Sequence, residues 1–172
     1  MRTLYLLRHA KSSWADPALG DHDRPLNARG LEACGRLAQY FRREGVAPEL
    51  VLCSTAERTR ATLHGIFPGL PVPLDVRYEP ALYLAEARAI LTQLQAVPAT
   101  VGKVMVIGHN PGLEDFAALI LADEKSDNPA WADEKFPTGG FAAFSLEIAD
   151  WTGLAPGSGR LFLYAVPRTL PG

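Results

Sequence analysis

Short apolar runs alternate with longer, helix-patterned segments over the first two thirds of the chain, and this alternation narrows the fold most. Runs rich in Val, Ile and Leu fall at 3–7, 50–53, 72–76 and 103–107, each bounded by polar or turn residues. Their length and composition predict buried strands. The spacing between them predicts helices. The first is expected to open at Asn27 and stop at Gly45, since glycine accepts the left-handed conformation that ends a helix. Leu31, Cys34, Leu37, Ala38 and Phe41 recur at helical spacing, with Arg36, Arg42 and Arg43 on a solvated face. A second helix is expected to open at Ser54, where Glu57 has capping-box spacing. A third is expected over 86–97, and a fourth from Asn110 with Pro111 at the favoured first position.

Strand and helix in alternation predict an α/β protein: a three-layer α/β/α sandwich around a mostly parallel sheet. The last third reads differently. Segment 123–137 is charged, carries two prolines and is expected to be a loop or a broken helix. Runs at 141–148 and 160–166 read as two more strands, with an antiparallel strand at the sheet edge. No repeat and no composition shift marks a boundary, so residues 1–172 are read as one domain.

Composition excludes several function classes. The net charge is −2, which offers no global field for nucleic acid or an anionic membrane, and neither is expected as a partner. An anionic substrate would need a local cationic pocket. No apolar run is long enough to span a bilayer. The opening run is too short for a signal peptide and ends at Arg8-His9 without a small-residue cleavage site. Cys34 and Cys53 make no CxxC pair and read as buried, reduced thiols of a cytoplasmic protein.

In an open parallel sheet, ligands collect beyond the carboxyl ends of the strands. Arg8-His9 follows the first run, 54–59 the second and 108–112 the fourth. Two histidines, His9 and His109, and two arginines, Arg8 and Arg58, are thereby expected at one sheet edge. Two of these segments also open helices, whose free N–H groups favour an anion. Such a set suits a phosphoryl group, which needs several donors and which a planar guanidinium fits well. Taken singly, each residue has a blander reading as the polar start of a loop or a solvated helix position. Agreement among three strand ends is what gives the set weight.

Leu7-Arg8-His9-Ala10-Lys11-Ser12-Ser13-Trp14 resembles the signature of the histidine phosphatase superfamily, in its SixA-like branch. Asp23-Arg24-Pro25-Leu26-Asn27-Ala28-Arg29-Gly30 is similar to the element before that family's first helix. Segment 54–62 resembles its second arginine motif, and Val106-Ile107-Gly108-His109-Asn110-Pro111 its second histidine motif. Phe136-Pro137-Thr138-Gly139-Gly140 and Val166-Pro167-Arg168 also look like this branch, so the likeness covers nearly the whole chain.

The resemblance implies a phosphoglycerate mutase-like fold and a phosphatase that uses neither metal nor other cofactor. It implies His9 as the nucleophile, transiently phosphorylated, with Arg8, Arg58 and His109 completing the phosphate pocket. His9 must then be neutral, with its second ring nitrogen donating to a carbonyl. Ser12 and Thr138 are expected to approach the phosphate, Gly139 to help close the pocket, and Asn27 to cap its helix. Many members of the superfamily protonate the leaving group with a carboxylate. Glu79, just beyond the third run, is the first choice for that acid and Glu86 the second. Lys11 stands where the family's mutases usually carry an acid, which lowers the weight of a mutase role.

An indistinct acid favours phosphohistidine, or another phosphoramidate, as substrate, because a P–N bond breaks readily once its ring is protonated. A phosphohistidine-bearing protein is the expected partner. A small-molecule phosphomonoesterase, and a phosphate-binding module with little turnover, are the competing readings. A metal-dependent hydrolase finds no clustered ligand motif. Asp21-His22-Asp23 invites a metal, but such an acidic loop is more often solvated, and His64 has no partner at ligand spacing. Trp14, Trp131 and Trp151 read as packing or lid residues, and segment 123–137 as a rim that selects substrates.

Overall fold

A computed structural model describes residues 1–121 and 136–172. Six strands, β1 (Arg2–Arg8), β2 (Leu50–Ser54), β3 (Asp75–Glu79), β4 (Lys103–Gly108), β5 (Phe141–Leu146) and β6 (Gly159–Ala165), form one sheet in the order β3-β2-β4-β1-β5-β6. The first four are parallel. β5 runs antiparallel to β1, and β6 antiparallel to β5, so antiparallel pairing closes that edge. Four helices cover the sheet: α1 (Ala28–Glu44), α2 (Glu57–Ile66), α3 (Ala87–Gln95) and α4 (Gly112–Ile120).

Alternate residues of the central strands face opposite layers, and both layers are apolar. Leu4, Leu6, Leu52, Val104 and Val106 pack with Ile90 and Leu94 of α3 and Phe116 and Ile120 of α4. Tyr5, Leu7, Val51, Cys53, Met105 and Ile107 pack with Cys34, Leu37 and Phe41 of α1 and Leu63 and Ile66 of α2. Each fully buried Leu, Ile or Phe contributes roughly 1.5–3 kcal/mol relative to exposure. This accounts for the unbroken apolar runs of β1, β2 and β4, which have no face left for water. Both cysteines are free and buried, and burial pushes their thiols up to about 11 at Cys34 and about 12 at Cys53. They are therefore poor nucleophiles.

Several local expectations shift. The third strand begins three residues later than the apolar run at 72–76 suggests. β3 is an edge strand whose partners are set by β2, with Leu50 opposite Asp75, and its residues are largely exposed. Pro73 has no N–H for the ladder, and Val72 is left exposed. Asn27 does cap α1, accepting from Gly30 N at 2.8 Å, and Gly45 closes it with φ 68°. Leu31, however, faces solvent. Gly30 turns inward instead, because a Cβ there would sit 2.2 Å from the Lys11 carbonyl. α2 starts at Glu57 with no side-chain cap, and Ser54 ends β2. α4 starts at Gly112, one residue after Pro111. Trp151 is buried and donates Nε1–H to Val101 O at 2.7 Å, as a packing residue would. No helix among the described residues is long and apolar enough to cross a membrane.

Candidate active site

His9 is the first residue past β1, at the centre of the sheet. Its N–H donates to Gly108 O at 3.1 Å, and its carbonyl accepts from Gly139 N at 2.9 Å. Gly139 holds φ 72°, and a Cβ there would lie 2.7 Å from the Pro167 ring. Any side chain at 139 would thus push the 136–140 segment off His9. The imidazole Nδ1 sits 2.7 Å from Ala10 O. A carbonyl can only accept, so Nδ1 carries the proton and Nε2 keeps its lone pair. Burial, helped by Arg58, Arg8 and Arg24, pushes the His9 pKa down to about 4, against the Ala10 carbonyl. The ring is neutral at pH 7, as a nitrogen nucleophile must be.

Three cationic or polar side chains share the cleft with it. Arg58, in the first turn of α2, is buried and donates Nη1 to Asp21 O at 2.7 Å and Nη2 to Asp21 Oδ2 at 3.0 Å. Arg8 donates Nη1 to Phe136 O at 3.1 Å. His109, after β4, has its ring centroid 5.4 Å from that of His9. Its Nε2 is 2.7 Å from Ser54 Oγ, which also accepts from Ala56 N at 3.4 Å. With an N–H already at its oxygen, the Ser54 hydroxyl can donate to Nε2, which leaves the His109 proton on Nδ1. Burial first, then Arg58 and His9, lowers the His109 pKa to about 3, so this ring is also neutral at pH 7.

Among the described residues, Arg8 Nε, Arg58 Nε and His109 Nδ1 are buried with no hydrogen-bond partner. An orphaned buried donor costs about 1–3 kcal/mol. All three belong to residues lining one cleft of about 310 Å³ together with His9. Two guanidinium groups and a second imidazole around one cleft, beside a neutral nucleophile, suit a tetrahedral oxyanion with several acceptor oxygens.

Asp21, Arg24, Tyr83 and Ser54 complete the arrangement, and the sequence did not single out any of them for it. Asp21 links Arg58 to Arg24, whose Nε and Nη2 lie 3.3 and 3.2 Å from Oδ1. Tyr83 donates its hydroxyl to Asp21 Oδ2. The tyrosine hydroxyl first, then Arg58 and Arg24, hold the Asp21 carboxyl down to about 2. Asp21 is therefore an orienting anion and no proton donor. Arg24 is buried and donates Nη1 to Ser12 Oγ at 2.8 Å. The Asp-His-Asp-Arg-Pro run was the available signal, but 21–23 form a 3-10 turn whose packing on α2 is invisible locally. His22 meets Thr55 Oγ1 at 2.9 Å, so the acidic loop has partners other than a shared ion.

The structure therefore brings His9, Arg8, Arg58 and His109 together, with Ser12 and Thr138 lining the same cleft. It does not bring Glu79 or Glu86 there. Glu79 ends β3, which lies at the sheet edge with β2 and β4 between it and β1. Glu86 is the N-cap residue of α3, and neither acid lines the cleft. His64 is exposed on the last turn of α2. Trp14 is exposed at the cleft, whereas Trp131 and residues 123–135 of the expected rim lie outside the described residues.

Comparison with known proteins identifies the family. A family model described as histidine phosphatase superfamily, branch 1, matches residues 4–83. An uncharacterized protein of Mycobacterium tuberculosis H37Rv is 36% identical over 165 residues, covering 94% of this chain and all of that one. A solved structure of the candidate phosphohistidine phosphatase SixA from Nakamurella multipartitia is 34% identical, with TM-score 0.83 and 96% of each chain covered. The candidate SixA from Agrobacterium tumefaciens is 31% identical, with TM-score 0.80, covering 96% of this chain and 98% of that one. The chain belongs to the histidine phosphatase superfamily, in its SixA-like branch. Membership carries the general chemistry of that superfamily, phosphoryl transfer through a phosphorylated histidine.

Proposed function

We propose that this chain hydrolyses phosphohistidine, or another phosphoramidate, with His9 as the phosphoryl acceptor. The phosphoryl oxygens bind to Arg8, Arg58 and His109, which line the cleft with His9. His9 Nε2 attacks phosphorus while the P–N bond of the substrate breaks. The substrate ring enters protonated on its other nitrogen, so the returning electron pair releases a neutral imidazole. The Ala10 carbonyl stabilises the positive charge that His9 gains on forming its own P–N bond. Water then attacks phosphorus, sheds a proton to solvent, and phosphate leaves as the electron pair returns to Nε2. Fixed donors at the equatorial oxygens favour a loose transition state at both steps.

One observation favours a P–N over an alkyl P–O substrate. Among the described residues, no carboxylate lining the cleft is poised to donate a proton. Asp21, whose carboxyl is bonded to Arg58, stays ionised at neutral pH, and Glu79 and Glu86 lie elsewhere. An alkoxide needs that proton; a protonated imidazole does not. Mass spectrometry of protein quenched during turnover should find phosphate on His9, lost in His9→Ala. A panel of phosphohistidine peptide and simple alkyl monoesters should favour the peptide. Clear preference for the monoesters would overturn the substrate assignment while leaving the phosphoenzyme intact.

A further inference from the structure

We propose that Trp14 and Leu84 form a leaving-group subsite at the mouth of the cleft, which takes a planar aromatic ring. The inference rests on the phosphohistidine reading above and deepens it. The ring it would take there is the imidazole of the phosphorylated side chain.

Trp14 is 77% exposed, far more than a packing residue would be. Its ring is nevertheless held. The Arg24 guanidinium carbon lies 3.5 Å from the indole centroid, and Arg24 is itself buried and anchored to Ser12 and Asp21. One face of the indole is thus fixed on a rigid cation, and the rest is open to solvent. Leu84 lines the same cleft and is 54% exposed. It holds φ 49°, a left-handed conformation that glycine adopts freely and leucine resists. Neither side chain gains burial in return. A strained leucine and a propped indole at the edge of a charged cleft point to a contact made with something that enters it.

The direction of the chemistry says what that is. Displacement at phosphorus is in line, so the leaving group departs on the side opposite His9 Nε2. His9 is at the floor, and the departing group therefore faces the mouth, where Trp14 and Leu84 stand. A histidine side chain suits this path: a flat ring on a methylene can enter while its backbone stays outside. Stacking on Trp14 would hold the ring in line with Nε2.

The test compares Trp14→Ala with wild type on two substrate pairs. The P–N pair is phosphoimidazole and phosphoramidate; the P–O pair is p-nitrophenyl phosphate and acetyl phosphate, whose leaving groups both depart without a general acid. The kcat/KM ratio of ring-bearing to ringless substrate should fall about three- to tenfold in either pair, and Trp14→Phe should restore most of it. Leu84→Gly should lower the ratio too, by less, while its Tm rises by about 2–4 °C as the strain is relieved. Equal loss on both members of each pair would overturn the subsite and leave Trp14 as a cover for Arg24. Wild-type failure on both P–N substrates would overturn the phosphohistidine reading instead, and the P–O pair would still decide the subsite.

Discussion

At the floor of the cleft, His9, Arg58 and His109 are at most 7% exposed and every backbone contact of His9 is specified; at its rim, Trp14 and Leu84 are 77% and 54% exposed. The floor is built from the ends of β1 and β4, held by the sheet register, and from the first turn of α2. Arg8 lies opposite Gly108 across the β1–β4 ladder, so the turns carrying His9 and His109 leave the sheet side by side. The rim is built from loops and held by one guanidinium and one strained residue. A rigid dry floor suits the phosphoryl group, which never varies. An open apolar rim suits the leaving group, the variable part of any substrate.

The contrast can be broken from the floor. Arg58→Ala should reduce kcat by about 10²–10³-fold on every substrate, ringed or not, because it removes a donor from the phosphoryl oxygens. Steady-state kinetics on a ringed and a ringless substrate would check this; a loss confined to one substrate would blur floor into rim. Asp21→Asn should act less strongly. Without its carboxylate, Arg58 is less firmly oriented, so kcat should fall about tenfold, while inorganic phosphate, no longer facing an anion, should inhibit about threefold more tightly. Opposite movement of kcat and the inhibition constant is the signature of an orienting anion.

The smallest effect is on stability. Both floor histidines are neutral in the fold, with pKa about 4 at His9 and about 3 at His109, whereas an unfolded histidine titrates near 6.5. The unfolded chain therefore binds more protons below about pH 6.5. Their contribution is full above that pH and is lost as pH falls toward 4 and then 3. The urea midpoint should decline over this window, and His9→Gln should flatten the decline. A midpoint indifferent to pH between 6.5 and 4 would contradict the neutral floor.

How far the sequence could be read depended on what held each element. β1, β2 and β4 lie within one residue of their apolar runs because burial on both faces demands such runs. The ends of α1 were legible because Asn27 and Gly45 act locally. β3 was misplaced because pairing with β2, and not hydrophobicity, sets an edge strand. Ser54 had the spacing of a cap, yet its hydroxyl serves His109, a residue 55 positions away.

The placing of His9, Arg8, Arg58 and His109 at one edge was legible in the sequence, since each follows an apolar run and parallel strands send all such ends the same way; their roles came from the family resemblance. Only the tertiary structure could decide the rest. Asp21, Arg24 and Tyr83 meet because a 3-10 turn packs on α2. Glu79 is excluded by the strand order, which sets β3 apart from β1. Which carbonyl fixes His9, and which donors stay open, depend on distances of a few ångströms between segments far apart in the chain. Local spacing carries no record of those distances.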